Sequence, residues 1–301
     1  MKAVVLSRFG GPEELRLTDV ERPEPGPGQV RIEVRASGVN GFDVKVRSGI
    51  MEAVFTTPLP TILGIEVAGV VDAVGPDVTG VSVGDEVLGW PDTGSYAEYA
   101  LATTFALKPE GLSWENAAAL PVAVETADRV LGLLDVKPGE TLLIHGAAGG
   151  VGTMAVQLAV LAGLHVIGTA GPANQEHIAA LGATPTTYGE GLVERVRALA
   201  PEGVDAVFDV TGKGALPASI ELRGGTDRII TISDNAAQEL GVTFSAGPQQ
   251  RSAERLAELA DLAAQGKLVT AVEGTFPLAD ASEAHRVSAT GHVRGKLVLT
   301  A

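Results

Sequence analysis

Over the first hundred residues, polar and apolar positions alternate in short runs broken by turn residues. Residues 29–36 (Gln29-Val30-Arg31-Ile32-Glu33-Val34-Arg35-Ala36) show the period of a half-buried strand. Lys2–Leu6 and residues 66–74, 86–89 and 95–101 read as further strands, separated by the rigid turn at residues 24–28, by Gly75-Pro76 and by Gly80. The pattern predicts a compact, mostly antiparallel β domain.

The rhythm changes near Trp114. Residues 115–134 read as helix interrupted by Pro121, and Thr141–His145 as a short buried strand. Residues 151–162 have helical spacing and no charge. Then come strand 164–168, helices 175–181 and 191–199, strands 206–210 and 228–232, and helix 252–265. Such alternation implies a parallel sheet with right-handed crossovers. After it, an extended stretch at 268–276, a helix at 279–288 and a strand at 295–299 are expected to return to the first domain. The division expected is 1–115 with 269–301 for the β domain and 116–268 for the parallel sheet.

The join at Gly146-Ala147-Ala148-Gly149-Gly150-Val151-Gly152 carries the chemistry. A buried strand precedes it and an apolar helix follows, the context in which a glycine-rich turn brings a diphosphate to free helix N–H groups. Ala147 holds the first position of the G-x-G-x-x-G fingerprint, with Gly149 and Gly152 in the other two. An NAD enzyme often places an acid at the end of the second strand. Here that strand runs into Gly168-Thr169-Ala170-Gly171-Pro172, with no acid before Glu176. This argues against NAD and permits a 2′-phosphate, so NADPH is the expectation. Yet Lys and Arg are absent between Lys137 and Arg195, so a 2′-phosphate falls to Thr169, Asn174, His177, Tyr188 or a distant base.

Composition narrows the field. The absence of cysteine excludes disulfides and thiolate-bound zinc. A formal net charge of −15 disfavours nucleic acid and anionic membrane as partners, and any phosphate site must be locally built. No apolar stretch is long enough for a membrane span, and the N-terminus turns polar too early for a secretory signal. The expectation is a soluble cytoplasmic protein. The five histidines are dispersed without metal-ligand spacing, and His145 reads as packed in its strand.

Segments along most of the chain resemble the zinc-free quinone oxidoreductase (zeta-crystallin-like) branch of the medium-chain dehydrogenase/reductase family. They are Gly38-Val39-Asn40-Gly41-Phe42-Asp43 with Arg47-Ser48-Gly49, residues 63–71, Val83-Gly84-Asp85-Glu86-Val87, Gly94-Ser95-Tyr96-Ala97-Glu98-Tyr99, residues 147–152, residues 207–212 and residues 295–299. The resemblance implies an α/β protein with a GroES-like β-barrel domain and a Rossmann doubly wound parallel sheet, and an active-site cleft between them. It also implies NADPH, a quinone or enone acceptor, and a homodimer. It sets Asn40 at the nicotinamide, its amide available to a substrate carbonyl or a cofactor hydroxyl, with a turn asparagine as the plain alternative. Asp43 is a substrate-side residue or a helix cap, Lys45 a stabiliser of carbonyl charge or a solvated lysine, and Thr126 a nicotinamide-side residue or a helix threonine bonded to its own turn. For the cofactor, the glycine turn (Ala147, Gly149, Gly150, Val151, Gly152) is joined by Thr169, Gly171, Thr211, Ile232, Tyr188 (at the adenosine end, or a half-buried aromatic), Asp209 (at the cofactor, or bonded to nearby backbone) and Lys296 (on a cofactor phosphate, or an exposed edge lysine).

Zinc-dependent relatives carry a Cys near Phe42, a His where this chain has Ile65, and a cysteine-rich lobe after Trp90; none is present. Many quinone reductases carry a Tyr at Lys45, and related enoyl reductases a Tyr close to Met51. A tyrosine proton donor is therefore not expected. The reading is direct hydride transfer from NADPH to a conjugated carbonyl without zinc, with solvent as proton source. A non-catalytic NADPH-binding sensor or structural protein is the alternative. Substrate choice is expected to rest on residues 50–60, 90–94 and 244–250.

Overall fold

A computed structural model describes residues 1–248 and 250–301, and the chain divides into two compact units. Gln249, within the segment expected to shape the substrate site, lies outside the described residues. The first unit comprises Met1–Val122 and Arg251–Ala301, the second Ala123–Gln250. The C-terminal return thus begins at Arg251, ahead of the expected residue 269, because helix Ala253–Ala264 packs on strand Thr104–Leu107 of the first unit. The first boundary also moves, from 115 to Val122, since helix Trp114–Ala118 lies against strands Val30–Val39 and Val67–Val74.

Two sheets build the first unit. Lys2–Leu6 is central to a three-stranded antiparallel sheet with Leu15–Asp19 and Thr61–Ile62. In the larger sheet, Val30–Val39 pairs antiparallel with Val67–Val74, with Tyr99–Ala102 and with the C-terminal Lys296–Thr300. The alternation of residues 29–36 works as predicted for its apolar positions: Val30, Ile32, Val34 and Ala36 are buried. Val30, Ile32, Val34, Val67, Val71 and Val87 form one core cluster. A second gathers Leu6, Val39, Leu63, Tyr96, Ala284 and Leu297, so the C-terminal strand and helix Ala281–Ala289 close the unit.

The second unit is a six-stranded, wholly parallel sheet. Its order is Thr184–Thr186, His165–Thr169, Thr141–His145, Ala206–Asp209, Ile229–Thr231, Thr243–Phe244. Counted along the chain, this is the order of a doubly wound nucleotide-binding sheet, which reverses between the first and fourth strands. Leu142, Leu143, Ile144, Val207 and Phe208 are buried, which explains apolar runs instead of alternation. Among the described residues no helix is long and apolar enough to cross a membrane.

Candidate functional site

The reversal of strand order puts the ends of Thr141–His145 and Ala206–Asp209 side by side. The glycine turn leaves the first and the loop 209–212 leaves the second. They touch: a Cβ added to Gly146 (φ 78°) would lie 2.5 Å from Thr211 Cγ2. Gly152 is tighter still, since its added Cβ would meet the Gly146 carbonyl oxygen at 2.1 Å and Ala147 Cα at 2.8 Å. Gly149 differs, having only the Gly146 oxygen near it, at 3.6 Å. Two glycines close the turn, and the third leaves its outer side bare.

Helix Gly150–Leu161 begins there with no side-chain cap and no acidic residue in its first turn. The N–H groups of Gly150, Val151 and Gly152 have no intrahelical partner, and the positive end of the helix dipole lies with them. A bare turn, an uncapped start and absence of acid fit a diphosphate. Ala147 contributes no donor: its N–H is spent on Thr169 O at 3.0 Å and its side chain is buried.

Several expected cofactor residues turn out to be framework. Thr169 is buried, its hydroxyl 3.2 Å from His145 Nδ1, so it is not presented to an adenosine. Asp209 is sealed from solvent and accepts from Thr211 N–H and Oγ1, Gly212 N–H and Thr231 Oγ1. It shapes the loop that brings Thr211 to the glycine turn. Ile232 is half-buried and donates its N–H to the Asp209 carbonyl. His145 is packed as its strand position predicts, its Nε2 3.0 Å from Ser219 Oγ; burial lowers its pKa to about 4.

Gly171 and Tyr188 do come together at the end of the second and third strands. The exposed Tyr188 places its hydroxyl 3.6 Å from a Cβ added at Gly171. Two side chains missed in the sequence hold this corner. Gln175 Nε2 donates to the carbonyls of Ala170, Gly171 and Thr186. Arg195 donates to the carbonyls of Thr187 and Glu190, which sets a guanidinium beside Tyr188.

In the first unit, helix Gly41–Ser48 starts at Asn40. Asp43 is buried, and its carboxylate accepts from the N–H of Asn40 at 2.9 Å and of Gly64 at 3.3 Å, and from Tyr96 Oη at 3.3 Å. Burial raises its pKa to about 6, against those stabilising donors. It caps the helix and anchors Gly64 and Tyr96, the cap alternative of its sequence reading. With its hydrogen given to Asp43, Tyr96 Oη accepts from His285 Nε2, 3.1 Å away. Burial, with Arg47 nearby, lowers the His285 pKa to about 3. Lys45 is half-buried on the same helix.

Lys296 does not extend to a phosphate. It is buried, and its Nζ bonds Glu66 Oε1 and Asn40 Oδ1. Asn40 Nδ2 donates to the same carboxylate at 2.9 Å, and Val122 N–H to Glu66 Oε2 at 2.9 Å. Glu66 was missed because it looks like one polar residue beginning an apolar strand. Its signal is that residues 63–71 contain no other charge.

An apolar surface flanks Asn40 along the chain. Phe42 and Phe55 stack at 5.9 Å, and Ile50 and Val54 are exposed. Thr126 belongs to the second unit, buried on helix Pro121–Leu134, its hydroxyl 3.3 Å from Glu125 Oε2 and not on its own turn. Among the described residues no group of three or more His, Cys, Asp or Glu side chains could hold a metal ion.

Comparison with known proteins decides the family. Residues 26–109 match the alcohol dehydrogenase GroES-like domain, and residues 181–299 the zinc-binding dehydrogenase domain. The chain is 32% identical over 324 residues to a quinone oxidoreductase of Sus scrofa, covering 99% of this chain and 97% of that protein. It belongs to the zinc-free quinone oxidoreductase branch of the medium-chain dehydrogenase/reductase family. The quinone oxidoreductase-like chain is also 33% identical over 316 residues to an NADPH-dependent alkenal/one oxidoreductase of Arabidopsis thaliana, covering 99% of this chain and 79% of that one. Over 302 residues it is 38% identical to a component of the pikromycin polyketide synthase of Streptomyces venezuelae, 92% of this chain but only 8% of that protein. A mycobacterial protein solved in complex with NADPH superposes with a TM-score of 0.89 at 32% identity, each chain covered completely. The family assignment makes the first unit the GroES-like domain and the second the Rossmann domain.

Proposed function

We propose that this protein is an NADPH-dependent reductase that delivers hydride to a quinone or other conjugated carbonyl acceptor without zinc. The observation that carries the proposal is the glycine turn, bare at Gly149 and opening on an uncapped helix start free of acid. The chain's net charge of −15 otherwise repels a diphosphate, so oriented N–H groups supply the attraction. Bound NADPH would supply the hydride.

The preference for NADPH over NADH rests on the corner around Gly171. Residues 168–175 contain no carboxylate for a ribose diol, Tyr188 lies at Gly171, and Arg195 is bonded to the carbonyl of Thr187 next to that tyrosine in the chain. In the GroES-like domain, Asn40 supplies an amide, and the exposed apolar side chains of Phe42, Ile50, Val54 and Phe55, near it in the chain, suit a flat apolar acceptor. These residues hold and orient; water is the proton source. Lys45 is proposed as a nearby cation for carbonyl charge, and Thr126 as a nicotinamide-side contact. A homodimer, common in the family, belongs to the same proposal and is read by sedimentation.

The test is to mix protein with NADPH, or with NADH, and a panel of quinones and enones, following absorbance of the reduced nicotinamide. Acceptor-dependent oxidation that is faster with NADPH supports the proposal. Binding without oxidation across the panel overturns it.

A further inference from the structure

The amide of Asn40 sits between two groups of fixed hydrogen-bonding character. A lysine ammonium can only donate, and a carboxylate can only accept. Lys296 Nζ lies 2.5 Å from Asn40 Oδ1, and Glu66 Oε1 lies 2.9 Å from Asn40 Nδ2. These two neighbours settle which end of the amide is oxygen. The ammonium also bonds Glu66 directly, which closes a triangle.

The triangle cannot relax by swinging into water, since Glu66 is 0% and Lys296 7% exposed. Glu66 is pinned further. Its second carboxylate oxygen takes the Val122 N–H, and its main-chain carbonyl takes the hydroxyls of Ser37 and Ser95. A Cβ at Gly38 would stand 2.0 Å from Glu66 Oε1, so the glycine leaves room for the carboxylate.

An amide nitrogen carries two hydrogens. One is given to Glu66; the other has no acceptor among the described residues, and Asn40 itself is only half-buried. The ammonium on Oδ1 withdraws density from the amide and strengthens that remaining N–H as a donor.

We propose that Lys296 and Glu66 are positioning residues that lock Asn40 so that it offers an N–H to the carbonyl oxygen of the acceptor. The inference rests on the reductase reading above. Hydride addition at the β-carbon of an enone breaks the C=C π bond and moves its pair toward the carbonyl oxygen. Water then supplies the proton, and the dinucleotide leaves oxidised. A preset donor at that oxygen gains strength as the charge develops. A free amide would have to be oriented first.

The experiment uses the full chain and the variants Lys296→Met and Glu66→Gln/Lys296→Met, the second leaving no lone buried charge should the first not fold. Three readouts are taken: NADPH affinity by fluorescence, kcat and KM with 3-penten-2-one, and the pKa of 4-nitrophenol bound with NADP⁺, read from its phenolate absorbance. The lock predicts a lowered phenol pKa in the wild type, lost in the variants. It also predicts a kcat drop of at least tenfold, with KM and NADPH affinity changed less than threefold. A folded variant that keeps kcat within twofold and the same phenol pKa overturns the inference, as does a wild type that binds no phenolate. A wild type that shifts the phenol pKa but fails to oxidise NADPH with any quinone or enone overturns the reductase reading instead.

Discussion

Lys296 and Glu66 form an ion pair in the interior of the GroES-like domain, with side chains 8% and 0% exposed. The two residues lie 230 positions apart in the chain, so the pair ties the C-terminal strand to the start of Val67–Val74. Removing one partner strands the other charge in low dielectric, which costs about 3–5 kcal/mol in buried pairs. Lys296→Met is therefore expected to lower the melting temperature markedly. Glu66→Gln/Lys296→Met is expected to recover much of the loss, and thermal unfolding of both variants checks it.

Gly152 is the position where a methyl group is least tolerable. Its Cβ would penetrate the Gly146 carbonyl, a backbone atom that cannot swing aside. Gly152→Ala is expected to destabilise the Rossmann domain by about 1–3 kcal/mol, as overpacking does, and to weaken NADPH binding at least tenfold. Denaturant unfolding and fluorescence titration read the two effects.

Cofactor choice is expected to hinge on Gly171. Its φ of −63° suits any residue, and an added Cβ has 3.6 Å to the Tyr188 hydroxyl. Gly171→Asp places a carboxylate at the end of the second strand, where it can accept from a ribose diol and repel a 2′-phosphate. The ratio of kcat/KM for NADPH over NADH should fall by tenfold or more, measured with one acceptor.

Acid stability follows from three buried groups. Burial holds His285 at about 3 and His145 at about 4, against an ordinary value of 6.5. On unfolding in acid each takes up a proton, so each contribution is present above pH 6.5 and is lost as the pH falls below it. Asp43 works the other way. Its pKa is raised to about 6 from 3.8, so the native state takes its proton first and gains as pH falls through that window. At about 1.4 kcal/mol per pH unit for each group, two histidines outweigh one carboxylate. Melting temperature should drop between pH 6.5 and 4, with a shallower slope in His285→Gln; a flat or rising profile would refute this.

Much of this arrangement was legible in the sequence, because its signals are local. Strand Thr141–His145, the glycines and an uncharged helix are contiguous, so context alone identified the turn. The apolar runs of the parallel sheet and the alternation of residues 29–36 likewise report burial directly. What stayed hidden depends on contacts between distant residues. Asn40, Glu66, Val122 and Lys296 meet only through the return of the C-terminal strand, and nothing local in Gly295-Lys296-Leu297 reveals a buried ammonium. Thr169 and Asp209 sit at strand ends facing the cofactor side, yet strand position does not tell whether a side chain turns outward or braces the loop. Short edge strands such as Thr184–Thr186 and Thr243–Phe244 are too brief to show a period.

We expect bare N–H groups behind Gly149 to grip the diphosphate of a nicotinamide dinucleotide. Gly149→Ala tests it most directly, because the new methyl group meets only one atom, at 3.6 Å, and spares the fold. Calorimetric titration of NADPH into wild type and this variant should show tight binding in the first and at least tenfold weaker binding in the second, at equal melting temperature. No heat of binding in the wild type, or equal affinity in both, would refute that grip.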